Sequence, residues 1–205
     1  MVLLPDAVVP LHVFEPRYRQ LTADALASDR RIGMVAVRPE HAQEMAGDPP
    51  VYAVGCAGVV AEHELLADGR YHVLLRGAHR FRILSELPRE GERLYRIAET
   101  EALTEEIGDA ADAERLRGDV LDLLQRLAQR TLGPDREIDA TALRGLGIAR
   151  FANVVSQSVG LPAPEKQSLL EAPTIAERLA RLASALDFHL AVLARQGGRG
   201  AETVH

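Results

Sequence analysis

The stretch Val51–Leu84 constrains the fold more than any other part of the chain. Two apolar, β-branched runs flank Ala67-Asp68-Gly69-Arg70. Asp-Gly between two such runs predicts a hairpin with a type I′ turn, whose two central positions need positive φ. The second run ends in Arg80-Phe81-Arg82-Ile83. Strict alternation sends Phe81 and Ile83 to one face and both arginines to the other. A two-stranded hairpin is not stable alone in water, so flanking segments must supply more strands or a covering helix.

The flanks fit that need. Val2–Val13 reads as one or two edge-type strand pieces, interrupted by Pro5 and Pro10. A helix is predicted near 16–28, with Pro16 in its first turn and Tyr18, Leu21 and Ala25 on one face. Ile32–Val37 reads as a buried strand, 39–50 as a polar loop and Leu94–Leu103 as a last strand. Beyond Thr104, β-branched residues thin out and Leu, Ala, Arg and Glu dominate. Helices are predicted near 110–131, 140–146, 148–159 and 164–170. A final one opens on the capping box Thr174-x-x-Glu177 and carries Ile175, Leu179, Leu182, Leu186, Leu190 and Leu193. Gly197-Gly198 should end it. Strands followed by helices indicate an α+β chain: a β-rich part with one early helix over 1–104, a helical part over 105–198 and a disordered tail over 199–205.

Composition narrows the function. A net charge of −6 argues against a general nucleic-acid or anionic-membrane binder. No run of eighteen apolar residues exists to span a membrane. One cysteine, Cys56, excludes an intramolecular disulfide and a cysteine-built zinc site, which suits a reducing cytoplasmic setting. Its apolar neighbours make it a core residue rather than a reactive thiol.

The chain has no phosphate loop, no G-x-S-x-G elbow and no H-E-x-x-H. Lys166, the one lysine, lies two residues before Ser168 on a predicted helix, a spacing that points the two side chains apart. His41, Glu44 and Asp48 sit in the polar loop with no metal-ligand spacing. Glu62-His63-Glu64 with His72 across the hairpin could form a metal or acid/base cluster, a cross-strand His63–His72 pair included. A polar hairpin end is the simpler reading. Arg76, Arg80 and Arg82, beside His79, are the alternative anion or RNA contacts, although stacking aromatics do not accompany them.

Four motifs in order resemble a known family. They are Pro10-Leu11-His12-Val13-Phe14-Glu15-Pro16-Arg17-Tyr18-Arg19 with Asp29–Val35, then Val54-Gly55-Cys56-Ala57, then Arg76-Gly77-Ala78-His79-Arg80-Phe81-Arg82-Ile83, then Glu165-Lys166-Gln167-Ser168-Leu169-Leu170-Glu171 with Ile175–Leu179. Together they resemble the N-terminal, substrate-binding domain of Lon protease. The resemblance implies a PUA-like β-rich pseudo-barrel joined to a helical bundle, without the ATPase and Ser–Lys protease modules. Family members usually begin with a further strand of the kind L-P-L-F-P-L. The resemblance therefore also implies a shortened first strand or a late start, and an exposed sheet edge.

The expected function is non-enzymatic recognition of unfolded or partly folded polypeptide, with no cofactor and no metal, as an adaptor beside a protease or chaperone. An RNA-binding PUA-like module is the alternative. The expected contact residues are Phe14, Glu15, Arg17, Tyr18 and Arg19, with Phe14 and Tyr18 equally able to be core anchors. Phe81 is assigned to the core.

Overall fold

The computed structural model describes residues 1–44, 47–133, 135 and 138–199. The chain divides into two compact units. One comprises Met1–Thr104 with Gln157–Glu171, and the other Glu105–Ser156 with the chain from Ala172 onward. The segment Gln157–Glu171, which the sequence assigns to the helical part, therefore belongs with the strands. The expected tail beyond Arg199 lies outside the described residues.

The first unit is built on a five-stranded antiparallel sheet: β1 (Val8–Val13), β2 (Arg31–Met34), β3 (Val54–Leu65), β4 (Tyr71–Leu87) and β5 (Ile97–Leu103). The order is β1-β4-β3-β2, and the far half of the long strand β4 also pairs with β5. Helix α1 (Pro16–Leu26) connects β1 to β2. The Val51–Leu84 hairpin forms as predicted, but its turn differs. Leu66–Gly69 closes through the Gly69 N–H donating to the Leu66 carbonyl at 2.9 Å, and of the two central residues expected at positive φ only Gly69 has it, at 80°. The turn is thus the kind that ends in one left-handed glycine rather than type I′. Asp68 accepts from the Arg70 N–H at 3.1 Å and from its Nε at 2.6 Å, and the backbone bond to Arg70 is the main cause that holds its carboxyl below the usual range.

One sheet face carries the core. Val9, Val13, Ile32, Val54, Cys56, Val60, Val73 and Leu75 are buried there together with Leu3, Leu4 and Leu170. The register of β3 and β4 shifts twice. Ala57 pairs with His79 but Gly58 with Gly77, which leaves Ala78 as an extra residue on β4. A one-residue bulge exchanges the faces of everything beyond it. Before it, Val73 and Leu75 point to the core. After it, Arg80 points there and Phe81 points to the opposite side.

Arg80 is accordingly buried, a correction to its expected place on the solvent face. Its Nη1 donates to the Leu170 carbonyl and its Nη2 to the Thr104 carbonyl, both at 2.9 Å. Gln167 of the helix Ala163–Glu171 donates to the Val54 carbonyl at 3.0 Å. Gln157 binds the N-terminal segment twice, accepting from the Leu4 N–H at 3.0 Å and donating to the Val2 carbonyl at 3.3 Å. Lys166 donates to the Gln157 carbonyl at 2.6 Å, and desolvation lowers its pKa.

The second unit is helical. A long helix, Ala110–Leu132, buries Ala113, Leu116, Val120 and Leu121. The last helix, Ile175–Arg199, buries Ile175, Leu179, Leu182, Leu186 and Leu190, and continues through the expected Gly197-Gly198 stop. Thr174 caps it by accepting from the Glu177 N–H at 3.1 Å. The Glu177 carboxylate, expected to complete the box, instead pairs with Arg181. Arg178 is fully buried and donates to Glu105 at 2.7 Å and to the Asn153 side chain. No helix among the described residues is long and apolar enough to cross a membrane.

Candidate functional site

The sheet face opposite the core forms the floor of a cleft of about 460 Å³ in the first unit. The floor follows from the register. Gly33 and Ala57 lie opposite each other, as do Ala57 and His79, Gly55 and Phe81, and Ile83 and Thr100. Small residues in the middle of the sheet leave the depression, and the Phe81 ring lies across Gly33 and Gly55. Phe81 is buried as expected, but as the floor of this cleft and not in the core between strands and N-terminal segment. Helix α1 supplies one wall through Arg17, Tyr18 and Leu21. Val35, Val37, Pro49 and Val51 supply another, and Leu94–Ala98 a third.

The walls are tied down by hydrogen bonds. Gln20 on α1 accepts from the Leu94 N–H at 2.7 Å and donates to the Glu92 carbonyl at 3.3 Å. The Tyr95 hydroxyl donates to Asp24 at 2.8 Å, and burial together with this bond raises its pKa. Arg17 donates to the Gly47 carbonyl at 3.0 Å, and Arg96 to the Pro49 carbonyl at 2.8 Å. Each of these rim cations also has a carboxylate: Arg17 pairs with Glu15 at 2.9 Å, Arg89 with Asp48, and Arg96 with Glu86. The hydrogen bond to Glu86 pushes the Arg96 guanidinium further up its already high range. The cleft is therefore apolar at its base and largely charge-neutral at this part of its rim.

The five expected contact residues separate around α1. Tyr18 is 38% exposed and lines the cleft, with the Arg17 guanidinium 4.7 Å from its ring centre. Phe14 is 60% exposed and stacks on His12 at 6.1 Å, outside the cleft. Both aromatics are thus surface residues, and their reading as core anchors is set aside. Glu15 caps α1 in sequence position only, its carboxylate engaging Arg17. Arg19 lies against Gly69 of the hairpin turn, in a separate shallow depression with Leu65 and Tyr71.

The alternative anion cluster does not assemble. Arg76 stands on the open sheet face, Arg80 is buried on the other, and Arg82 is exposed two residues further along. His63 and His72 do not pair. His63 lies 3.3 Å from Arg30, whereas His72 meets Glu64 at 3.3 Å and His12 at a ring separation of 5.0 Å. No group of three His, Cys, Asp or Glu able to hold a metal ion occurs among the described residues. Leu21, Ile83, Tyr95 and Arg96 are cleft residues that sequence reasoning does not assign to any site, and His79, read from sequence as a member of the anion cluster, lines the cleft instead. Leu21 comes from α1, whereas the others reach the cleft through the bulge and long-range strand pairing.

Residues 1–187 match the family model of the ATP-dependent protease La (LON) substrate-binding domain. The chain belongs to that family. Lon protease 2 of Syntrophobacter fumaroxidans is 30% identical over 173 residues, covering 84% of this chain and 21% of that protein. Lon protease of Azospirillum brasilense is 26% identical over 195 residues, covering 94% of this chain and 23% of that protein. The chain thus spans less than a quarter of the length of these two relatives. Among solved structures, the N-terminal domain of Mycobacterium avium complex Lon protease is similar with a TM-score of 0.69 at 20% identity, covering 92% of this chain and 94% of that one. A Lon N-terminal domain protein from Xanthomonas campestris is similar with a TM-score of 0.60 at 22% identity, covering 89% and 92%. These likenesses carry the Lon N-terminal fold.

Two of the Lon-type motifs can be read physically in this structure. Gly-x-x-Arg-Phe at 77–81 spans the bulge that sends Arg80 inward and Phe81 to the cleft. Lys-Gln-x-Leu-Leu-Glu at 166–171 fastens its helix to β3 through Gln167 and buries Leu169 and Leu170.

Proposed function

We propose that this Lon-family domain recognises partly unfolded polypeptide without catalysing a reaction on it, and serves as an adaptor to a protease or chaperone. The observation that carries the reading is the exposed Tyr18 ring at the mouth of a cleft floored by Phe81, Ile83 and Ala57. Concave apolar surface of this kind, held by rigid elements and walled by paired charges, suits an inserted apolar side chain. The rim arginines Arg17, Arg89 and Arg96 are already neutralised, so this attraction does not depend on bulk charge.

The test is a titration of fluorescent unfolded polypeptide and of short RNA against the purified protein at low and high salt. The reading requires polypeptide binding that persists at high salt. RNA binding that falls steeply with salt, in the absence of polypeptide binding, would replace it with the nucleic-acid alternative.

A further inference from the structure

We propose that the cleft selects an extended segment that places an acidic side chain two residues from an apolar anchor. The inference rests on the polypeptide-binding reading and adds a charge requirement to it.

The floor does not end at Phe81. It runs along the open sheet face to His79 and then to a row in which Arg31 on β2 and Arg76 on β4 register with the two sides of Val59. Arg31 and His79 both line the cleft. These cations differ from the others around the rim. Arg17, Arg89 and Arg96 each hold a carboxylate. By contrast, the side chains of Arg76 and His79 make no hydrogen bond or ion pair among the described residues. Arg31 has only Asp29, at 3.7 Å with both side chains about 60% exposed. Glu62 marks the far limit of this basic group, one row further from the cleft, and pairs with none of its members.

The spacing supplies the pattern. Same-face residues of a strand are about 6.8 Å apart, both in this sheet and in an extended ligand lying along it. Phe81 and His79 are such neighbours on β4. A ligand side chain seated over Phe81 therefore brings its same-face neighbour, two residues away, over Ala57 and His79. There Arg31 from one side and Arg76 from the other can reach a carboxylate. Small side chains at Gly33 and Ala57 leave room for it. A charge-assisted hydrogen bond at such a rim is the strong kind available to a peptide.

The experiment measures fluorescence-anisotropy affinities of short labelled peptides in a Gly/Ser host. One carries Leu and Glu two residues apart, a second has Gln in place of Glu, and a third places Leu and Glu three residues apart. All are amidated at the C-terminus. The expected result is about tenfold tighter binding of the first peptide than of the other two. In the double variant Arg31→Gln/Arg76→Gln, whose altered side chains are both exposed, that preference should vanish. Equal binding of all three peptides, or a preference that survives the double variant, overturns the charge requirement but leaves polypeptide recognition standing. Failure of every peptide to bind overturns both. Salt-sensitive RNA binding lost in the double variant would assign Arg31 and Arg76 to phosphate instead.

Discussion

Gly55 lies directly beneath the Phe81 ring: a Cβ at residue 55 would stand 2.7 Å from Phe81 Cζ and 2.6 Å from the Met34 carbonyl oxygen. The two residues are register partners on β3 and β4, and the missing side chain of one is what lets the ring of the other lie flat as the cleft floor. Because one of the obstructing atoms is backbone, the space cannot be recovered by a rotamer change. Gly55→Ala is expected to cost about 1–3 kcal/mol through overpacking. Equilibrium denaturation checks this, and unfolded-polypeptide affinity should fall with it because Phe81 must move.

Tyr18 and Phe14 should behave in the opposite way. Both are exposed, so Phe14→Ala and Tyr18→Ala should each change stability by no more than about 0.5 kcal/mol. Polypeptide binding should weaken in Tyr18→Ala by at least as much as in Phe14→Ala, since only Tyr18 lines the cleft. A loss of about 3–5 kcal/mol in either variant would mean that the ring is a core anchor after all.

Much of this arrangement was open to reading from sequence, and the exceptions have physical causes. The hairpin, α1, the long helices and the Thr174 cap follow from local periodicity and turn chemistry, which act over a few residues. The faces of Arg80 and Phe81 do not. Alternation alone puts Arg80 on the solvent side, but the extra residue Ala78 reverses it, and a bulge is set by how two strands pair rather than by either one alone. The same holds for Gln157–Glu171. Its helical pattern is plain, whereas its attachment to the strands rests on Gln167 meeting the Val54 carbonyl 113 residues away. The cleft was visible only in part. Arg17 and Tyr18 lie in a recognisable segment, while His79, Ile83 and Tyr95 reach the same depression from distant stretches.

Arg178 offers a test inside the helical unit. Its buried guanidinium depends on Glu105 and Asn153. Arg178→Ala should destabilise by about 3–5 kcal/mol, because it opens a cavity and strands the buried Asn153 and the partly buried Glu105. Arg178→Met strands the same two groups but fills the space, so in the same denaturation assay it should recover only the cavity part of that loss.

Asp68 gives a pH prediction with a defined sign. Its folded-state pKa lies below the ordinary 3.8, chiefly because its carboxylate accepts from the Arg70 N–H. A carboxyl depressed in the fold contributes stability that is complete above its unfolded pKa and is lost as pH falls through the folded value. Titration of the Asp68 carboxyl carbon by NMR should give a midpoint below 3.8. Asp68→Asn should remove that part of the acid dependence while leaving the Gly69 turn in place.

The central claim is that polypeptide is bound in the cleft beside α1. Backbone and methyl NMR shifts of the labelled protein, followed while an unfolded polypeptide is added, test it most directly. The account predicts perturbations concentrated at Tyr18, Leu21, Val35, Phe81 and Ile83, and their loss in Tyr18→Ala. Perturbations confined to the helices Ala110–Leu132 and Ile175–Arg199, or none at saturating polypeptide, would contradict it.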